Sequence, residues 1–383
     1  MQLSDFDDNS PGEIVSVISS SPLVTHAFVP DALPPKFEWP AELWPLLSDA
    51  ESELARLDGT GKLLVEPELL LTPLREREAL KSSSLEGTYT DPEGQMLFKL
   101  EPKEPKSESD PANAYREVFN YGRALRLGEE LRSELPLSTR LIRRLHETLM
   151  EAVRGQNKRP GQLRESQVHI GQPPRFVPPP AEHVSDCLHD LELYLNESNP
   201  TLRPLVRSFV AHYQFEAIHP FLDGNGRVGR LLLSLTIKEW CDLSNQWLYM
   251  SAYFDRHKDQ YIQHLYDVSS KGNWRGWLEF CLHGVVEQAR DSIQRCESLL
   301  DLQKEFRARI QSIQASSRLG AIVDMIFSNP AIQISPLSDR FEVSYNTAKS
   351  DVEKLENLGI LEMTRVNNIK TYYCPQILRI TYD

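Results

Sequence analysis

The stretch His219-Pro220-Phe221-Leu222-Asp223-Gly224-Asn225-Gly226-Arg227-Val228-Gly229-Arg230 carries more chemistry than any other dozen residues of this 383-residue chain. Gly224-Asn225-Gly226 suits a tight turn with inward-facing N–H groups, and the apolar run that follows, GRLLLSLTIKEW, reads as a helix. Phosphate oxygens can sit on such a helix N-terminus, which makes the turn an anion cradle. Arg227 and Arg230, three residues apart, add two guanidinium forks on the first turn. Asp223 supplies a hard oxygen suited to Mg²⁺ bridging phosphates. His219, whose ordinary pKa is near 6.5, is suited to take a proton from an incoming hydroxyl. Taken alone, a Gly-Asn-Gly is a turn, an arginine pair is a solvated face and a His before Pro is structural; their proximity within twelve residues is what points to a phosphate site.

Composition bounds the rest. Hydrophobic residues make up 40% and charged residues 25%, values of a folded water-soluble chain, and the length suggests two or three domains. The 42 Lys+Arg against 55 Asp+Glu give a net charge of -13, which argues against broad attraction to nucleic acid or anionic lipid. Five scattered cysteines make neither a disulfide framework nor a CxxC pair, so no structural zinc is expected. The N-terminus lacks a basic segment followed by an apolar run, and no stretch is apolar enough to span a bilayer, so a cytoplasmic location is expected.

Working outward, residues 1–40 are rich in Ser, Asp and Pro and read as an extended arm. Helical periodicity runs from Ala41 to a stop at Gly59 and again from about Pro73 to Gly87. Residues 99–111 alternate charge with Pro and Ser and read as a surface loop. Helical pattern then dominates to Trp240, interrupted at 166–180 by SQVHIGQPPRFVPPP, which reads as a short hairpin about a Gly-Gln-Pro-Pro turn. The last 65 or so residues read helix, helix, helix and two strands about Asn367-Asn368, the order of a winged helix. Residues 331–383 hold six Lys/Arg and seven Asp/Glu, a net of −1, which favours protein contact over DNA binding there. The expected organisation is an arm over 1–40, an N-terminal helical region over 41–125, a core over 126–290, and a connecting helix with winged-helix domain over 291–383.

HPFLDGNGRVGR resembles the signature of Fic (Fido) domain proteins, HPFx[DE]GNGRxxR, with every defined position present. FVPDALPP, ALKSSSLEG and EVFNYGRAL resemble the N-terminal region of one Fic subgroup, and LPLSTRLIRRLHETLM, RPGQLRESQVHIG and FVPPP resemble the approach to its catalytic core. The resemblance implies a mainly α fold, a Fic-type helical bundle with a small β-hairpin flap and a C-terminal winged helix. It implies a protein adenylyltransferase that moves AMP from ATP to a Ser, Thr or Tyr hydroxyl of a protein and releases pyrophosphate. Position by position, His219 would be the general base and Asp223 the Mg²⁺ ligand. Gly224, Asn225 and Gly226 would hold the α- and β-phosphates, Arg227 the β- and Arg230 the γ-phosphate, with Pro220, Phe221 and Leu222 in the same ATP-binding loop and Phe221 turned into the core.

Further positions stay two-sided. Gln214 either contacts the nucleotide or is a satisfied polar residue of an apolar helix. In SAYFDRHKDQYIQHL, which resembles the stretch lining the adenine site, Tyr261 either stacks on the base or belongs to the core, and His257 either bonds the base or lies on the surface. Ser82-Ser83-Ser84-Leu85-Glu86-Gly87 matches the family's inhibitory motif [ST]xxxE[GN], which implies that Glu86 pairs with Arg230 and blocks productive ATP binding. The 166–180 hairpin resembles the Fic flap, which holds a target segment by strand addition, with His169 where relatives often carry an aromatic residue. Homodimers that modify themselves are a further expectation from the resemblance. The same site also admits removal of AMP from a protein, transfer of another phosphate-containing group, or a nucleotide-sensing transcriptional regulator. The intact Asn225-Gly226 favours AMP transfer, since relatives that phosphorylate often carry Lys at the second Gly.

Overall fold

A computed structural model describes residues 1–17, 23–64, 67–153, 159–313, 316–366 and 369–383. Helices dominate. The N-terminal region holds α1 (Trp44–Lys62), α2 (Glu68–Leu85), α3 (Pro92–Leu100) and α4 (Ala112–Leu131), followed by α5 (Thr139–Leu149) and α6 (Val184–Leu195). The centre is α7 (Pro204–Ile218) and α8 (Asn225–Trp240), then α9 (Ser251–Arg256), α10 (Lys258–Lys271) and α11 (Trp274–Gln311), a helix of 38 residues that carries the chain onward. The C-terminal region is α12 (Ser317–Ser328), α13 (Ile334–Arg340), α14 (Tyr345–Asn357) and α15 (Pro375–Tyr382). Strands β1 (Gly12–Ser16) and β2 (His26–Pro30) pair antiparallel, and β3 (Ala331–Gln333), β4 (Glu362–Val366) and β5 (Ile369–Tyr373) form a sheet in the order β3-β5-β4.

α7 is buried almost throughout, from Leu205 to Ile218, and α8 nearly as fully. A helix apolar on every side belongs at the centre of a bundle, and these two pack on each other there. α2 and α4 pack together on one side, with α4 also reaching α5 and α8. One side of α2 thereby faces the α7–α8 junction, while α12 and α15 rest on it from elsewhere.

Several expectations change. The arm over 1–40 is not simply extended: it contains the β1–β2 pair, whose Phe28 is fully buried. α1 runs past Gly59 to Lys62, because nothing at Gly59 forces a left-handed turn. Gly61 is needed instead for close approach, since a Cβ there would overlap the Trp247 indole. α2 begins at Glu68, five residues before Pro73, which sits inside the helix. The domain boundaries expected at 125 and 290 fall within α4 and α11. In the C-terminal region β3 and α15 join the expected elements, and Asn367-Asn368 lie outside the described residues.

Candidate active site

His219 ends α7 in the left-handed conformation, φ 49°, with its N–H bonded to Phe215 O at 3.0 Å. A non-glycine residue held there costs on the order of 1 kcal/mol and persists only where its surroundings fix it. The following loop is closed on itself by Asn225: its Oδ1 accepts the Phe221 N–H at 2.8 Å and its Nδ2 donates to Phe221 O at 2.9 Å. The Asn225 side chain is thus committed to the loop, leaving its backbone N–H for a ligand. Gly224 takes φ 75°, where a Cβ would also crowd the Met150 sulfur at 3.1 Å.

Phe221 is fully buried and stacks on the His146 ring, centroids 3.8 Å apart and planes within 5°. His146 Nδ1 accepts the Gly161 N–H at 2.8 Å, so its Nε2 carries the proton and donates to Asp223 O at 3.1 Å. Burial lowers the His146 pKa to about 4, and the ring stays neutral beneath the loop. This brace lies more than seventy residues before the motif, which is why reading the motif alone misses it.

The first N–H groups of α8 have no partner within the helix, and Gly226 of that first turn lines the same cavity as His219. Arg230 closes that space. Its Nη2 donates to Glu86 Oε1 at 2.7 Å and to Ser82 O at 2.9 Å, and its Nε to Ser82 Oγ at 2.8 Å. Glu86 is the C-cap of α2, with Gly87 at φ 82° turning the chain away. Burial opposes ionisation of Glu86, yet the Arg230 charge and hydrogen bond outweigh it and hold the carboxyl below its usual value. Gly226 must be glycine here, because a Cβ would fall on the Glu86 carboxylate and 2.9 Å from the Arg230 guanidinium.

Arg227, 4% exposed, is held by α4: its Nη1 donates to Glu117 Oε2 at 3.1 Å, and the same oxygen accepts the Thr88 hydroxyl at 2.7 Å. Glu117, from α4, is a site residue that sequence reasoning did not single out. Asp223 is half exposed at the lip of the cradle; its Oδ1 accepts the Gly224 N–H at 2.7 Å and lies 3.8 Å from Arg227 Nη2.

A cavity of about 420 Å³ opens at this point, lined among others by Glu86, Glu216, His219, Gly226, Arg230 and Tyr261. Tyr261 is buried, stacks on Phe254 at 4.4 Å and donates its hydroxyl to His212 Nε2 at 2.9 Å. Its ring therefore serves both the core and the cavity wall. His212 Nδ1 in turn bonds Gly229 O at 3.1 Å, and burial holds this histidine neutral, its pKa lowered to about 3. Lys258 joins the lining and donates to Leu85 O at 2.7 Å beside the Glu86 turn. Gln214 and His257 are not among the lining residues: Gln214 donates to Asp31 O at 2.8 Å, and His257 packs on Tyr253 at 4.7 Å. Leu222 is partly buried and Pro220 buried, both in the loop itself.

Burial and the neighbouring Arg164 charge lower the His219 pKa to about 4, against the upward pull of Glu86 and Asp223, so the imidazole is neutral at pH 7. Glu216 goes the other way: burial, with the Glu86 charge adding and Arg230 opposing, raises its carboxyl to about 8. The expected flap forms a single antiparallel bridge, Ile170 with Phe176, instead of two strands. Pro173, Pro174 and Pro178 to Pro180 lack the N–H groups that a longer ladder needs. Val177 O accepts the Phe28 N–H at 2.9 Å, which docks the arm on the flap.

The fold and site define a mainly helical protein in which a histidine, a glycine-rich turn at a helix N-terminus and an internal carboxylate meet at one cavity. Residues 136–237 match the Fic/DOC family and residues 44–130 the Fic/DOC family N-terminal region. It is 46% identical over 76 residues to protein adenylyltransferase fic-1 of Caenorhabditis elegans, covering 20% of this chain and 14% of that protein. Against protein adenylyltransferase Fic of Drosophila yakuba it is 26% identical over 163 residues, 40% of this chain and 31% of the relative. The chain thus spans less than a third of the length of these curated relatives. A Fic family protein from Desulfovibrio desulfuricans shares the fold with TM-score 0.57 and 21% identity, covering 89% of this chain and 98% of that one. Fic-1 from C. elegans does so with TM-score 0.52 and 22% identity, over 68% of this chain and 74% of that one. Among the described residues no helix is long and apolar enough to cross a membrane.

Proposed function

We propose that the chain is a self-inhibited protein adenylyltransferase that moves AMP from ATP to a hydroxyl of a protein. The observation that carries this reading is the Glu86 carboxylate on Arg230, 2.7 Å away, at the mouth of the α8 cradle: an internal anion occupies the place that the γ-phosphate would take. In the transfer, neutral His219 accepts the proton of the target Ser, Thr or Tyr hydroxyl, that oxygen forms a bond to the α-phosphorus, and the bond to the β-phosphate bridging oxygen breaks. Pyrophosphate leaves with its charge held by the α8 N–H groups, Arg227 and Arg230. Glu117 aims Arg227, and Asn225 with Phe221 and His146 holds the cradle rigid.

The site fits Mg²⁺ by its donor chemistry. Among the described residues no three acidic, His or Cys side chains gather as a protein-only site, whereas Asp223 offers one half-exposed carboxylate with Oδ1 bonded to Gly224 N–H. Mg²⁺ is usually held by one or two carboxylates together with substrate phosphates and water, and bound there it would neutralise phosphate charge. The single-bridge flap offers backbone groups to a target segment, which fits recognition by strand addition with little side-chain selection. We read the C-terminal helices and β3-β5-β4 sheet as a winged helix used for protein contact, in line with its net charge of −1 over 331–383.

The test is incubation of wild type, Glu86→Gly and Glu86→Gly/His219→Ala with Mg²⁺ and ATP labelled on the α-phosphate, followed by intact mass. Added AMP strongest in Glu86→Gly and absent from the double variant is expected. An unlabelled Glu86→Gly, alone and with cell lysate, overturns AMP transfer.

A further inference from the structure

Arg164 stands just before the flap, is 2% exposed, and makes no ion pair among the described residues. Burying an unpaired cation is costly unless hydrogen bonds replace its water. Here backbone carbonyls replace it. Nε donates to His219 O at 2.9 Å, Nη2 to Pro179 O at 2.5 Å and to Ile218 O at 3.4 Å, and Nη1 to Ser166 O at 3.3 Å. Its own backbone N–H reaches Pro220 O at 2.9 Å. Ser166 and Pro179 are the two ends of the flap, while Ile218, His219 and Pro220 are the end of α7 and the turn that presents the imidazole.

A neutral tie cannot do this, because only a guanidinium offers five donors in one rigid fork. The charge has a second consequence. The Glu86 carboxylate of α2 and the Asp223 carboxylate of the loop raise the His219 pKa and the Arg164 cation lowers it, while Glu216, Arg230 and Lys258 line the same cavity. It also meets the last carbonyls of α7, where a helix terminus favours positive charge.

We propose that Arg164 is a positioning residue for the transfer: by holding both ends of the flap and the catalytic turn at once, it fixes the distance and angle between a target hydroxyl on the flap and the His219 imidazole. This rests on the AMP-transfer reading for its consequence in rate, but the coupling of flap to turn stands independently of it.

The experiment compares Glu86→Gly with Glu86→Gly/Arg164→Met and Glu86→Gly/Arg164→Lys. Amide hydrogen exchange is followed over residues 166–180 and 218–222, and His219 is titrated by NMR with labelled histidine. ATP affinity is measured separately from the rate of AMP transfer. In the Met variant, exchange should quicken in both segments together, and His219 should titrate roughly one pH unit higher as the cation is lost. ATP affinity should stay within about threefold while the transfer rate falls about 100-fold, the cost of misplacing reacting groups by an ångström. The Lys variant, which keeps the charge with fewer donors, should leave the His219 titration in place and lose rate; it carries the decision if the Met variant does not fold. Exchange confined to the flap with His219 unmoved, or ATP affinity falling in proportion to rate, overturns the proposal. If the parent itself transfers no AMP, the AMP-transfer reading falls, and exchange with His219 titration still decide whether Arg164 couples flap to turn.

Discussion

One nitrogen of Arg230, Nη2, bonds both Glu86 Oε1 at 2.7 Å and the Ser82 carbonyl at 2.9 Å, so the Glu86 carboxylate and the helix that carries it share a single guanidinium. Loss of Glu86 therefore leaves Arg230 with Ser82 still bonded, and Glu86→Gly should fold with a modest loss, about 1–2 kcal/mol. ATP should then bind far better. We expect millimolar Mg-ATP to raise the melting temperature of Glu86→Gly clearly more than that of wild type, at a size set by ligand concentration over Kd. Equal shifts in a thermal melt would sink the competition between carboxylate and γ-phosphate.

The brace beneath the cradle is a separate matter of packing. Phe221→Ala removes a fully buried ring stacked on His146 and should cost about 3–5 kcal/mol in urea unfolding. His146→Ala strips a partner from both Gly161 N–H and Asp223 O, each a hydrogen bond of about 1 kcal/mol or more. If His146→Ala keeps wild-type stability and wild-type ATP binding, the ring is not what holds the loop.

How much of this was legible in the sequence follows from distance along the chain. The cradle, His219 and Arg230 sit within twelve contiguous residues and Glu86 in a motif identified through the family resemblance, and the structure brings His219, Gly226, Arg230 and Glu86 around one cavity. His146, Glu117 and Arg164 act across gaps that local pattern cannot bridge, and each looks like an ordinary charged or polar position of a helix or loop. Gln214 illustrates the converse: the resemblance left it either a nucleotide contact or a satisfied polar residue of an apolar helix, and its amide donates to the Asp31 carbonyl of the arm, whose fold was hidden by its Ser- and Pro-rich composition.

Stability should depend on pH in two directions. His146, His212 and His219 have folded pKa values lowered to about 4, 3 and 4, so below pH 6.5 the unfolded chain takes up more protons and stability falls with acid, by up to ~1.4 kcal/mol per pH unit for each group. Glu78 and Glu216, raised to about 7 and 8, bind more protons folded than unfolded, and their contribution is lost as pH rises through those values. A maximum between about pH 6 and 7 results from the crossing of these slopes. Glu216→Gln should flatten the decline between pH 6.5 and 8 in chemical denaturation series; an unchanged alkaline slope would show that Glu216 is ionised in the folded chain.

The far side of α2 offers a way to loosen the helix that carries Glu86 without touching the cavity. Arg77, 8% exposed, pairs with Asp291 of α11 at 2.9 Å, and Asp291 also holds Arg295, which donates to Ile380 O of α15. Arg77→Leu should raise basal AMP labelling several-fold over wild type while leaving Glu86→Gly labelling unchanged when the two are combined. Labelling that stays at the wild-type level in Arg77→Leu would mean that this contact does not bear on the seating of Glu86.

Because α2 meets the cradle through Glu86 and meets α12 and α15 elsewhere along its length, the seating of Glu86 is a shared property of the first hundred residues and the last seventy. A chain cut after Gln311 would open the cleft that Pro73 and Glu76 of α2 share with Phe327 and Tyr382, and would lose the α12 and α15 contacts to that helix. Such a shortened protein would be expected to look permanently switched on, and anything that grips the C-terminal region would act as a throttle at a distance from the chemistry.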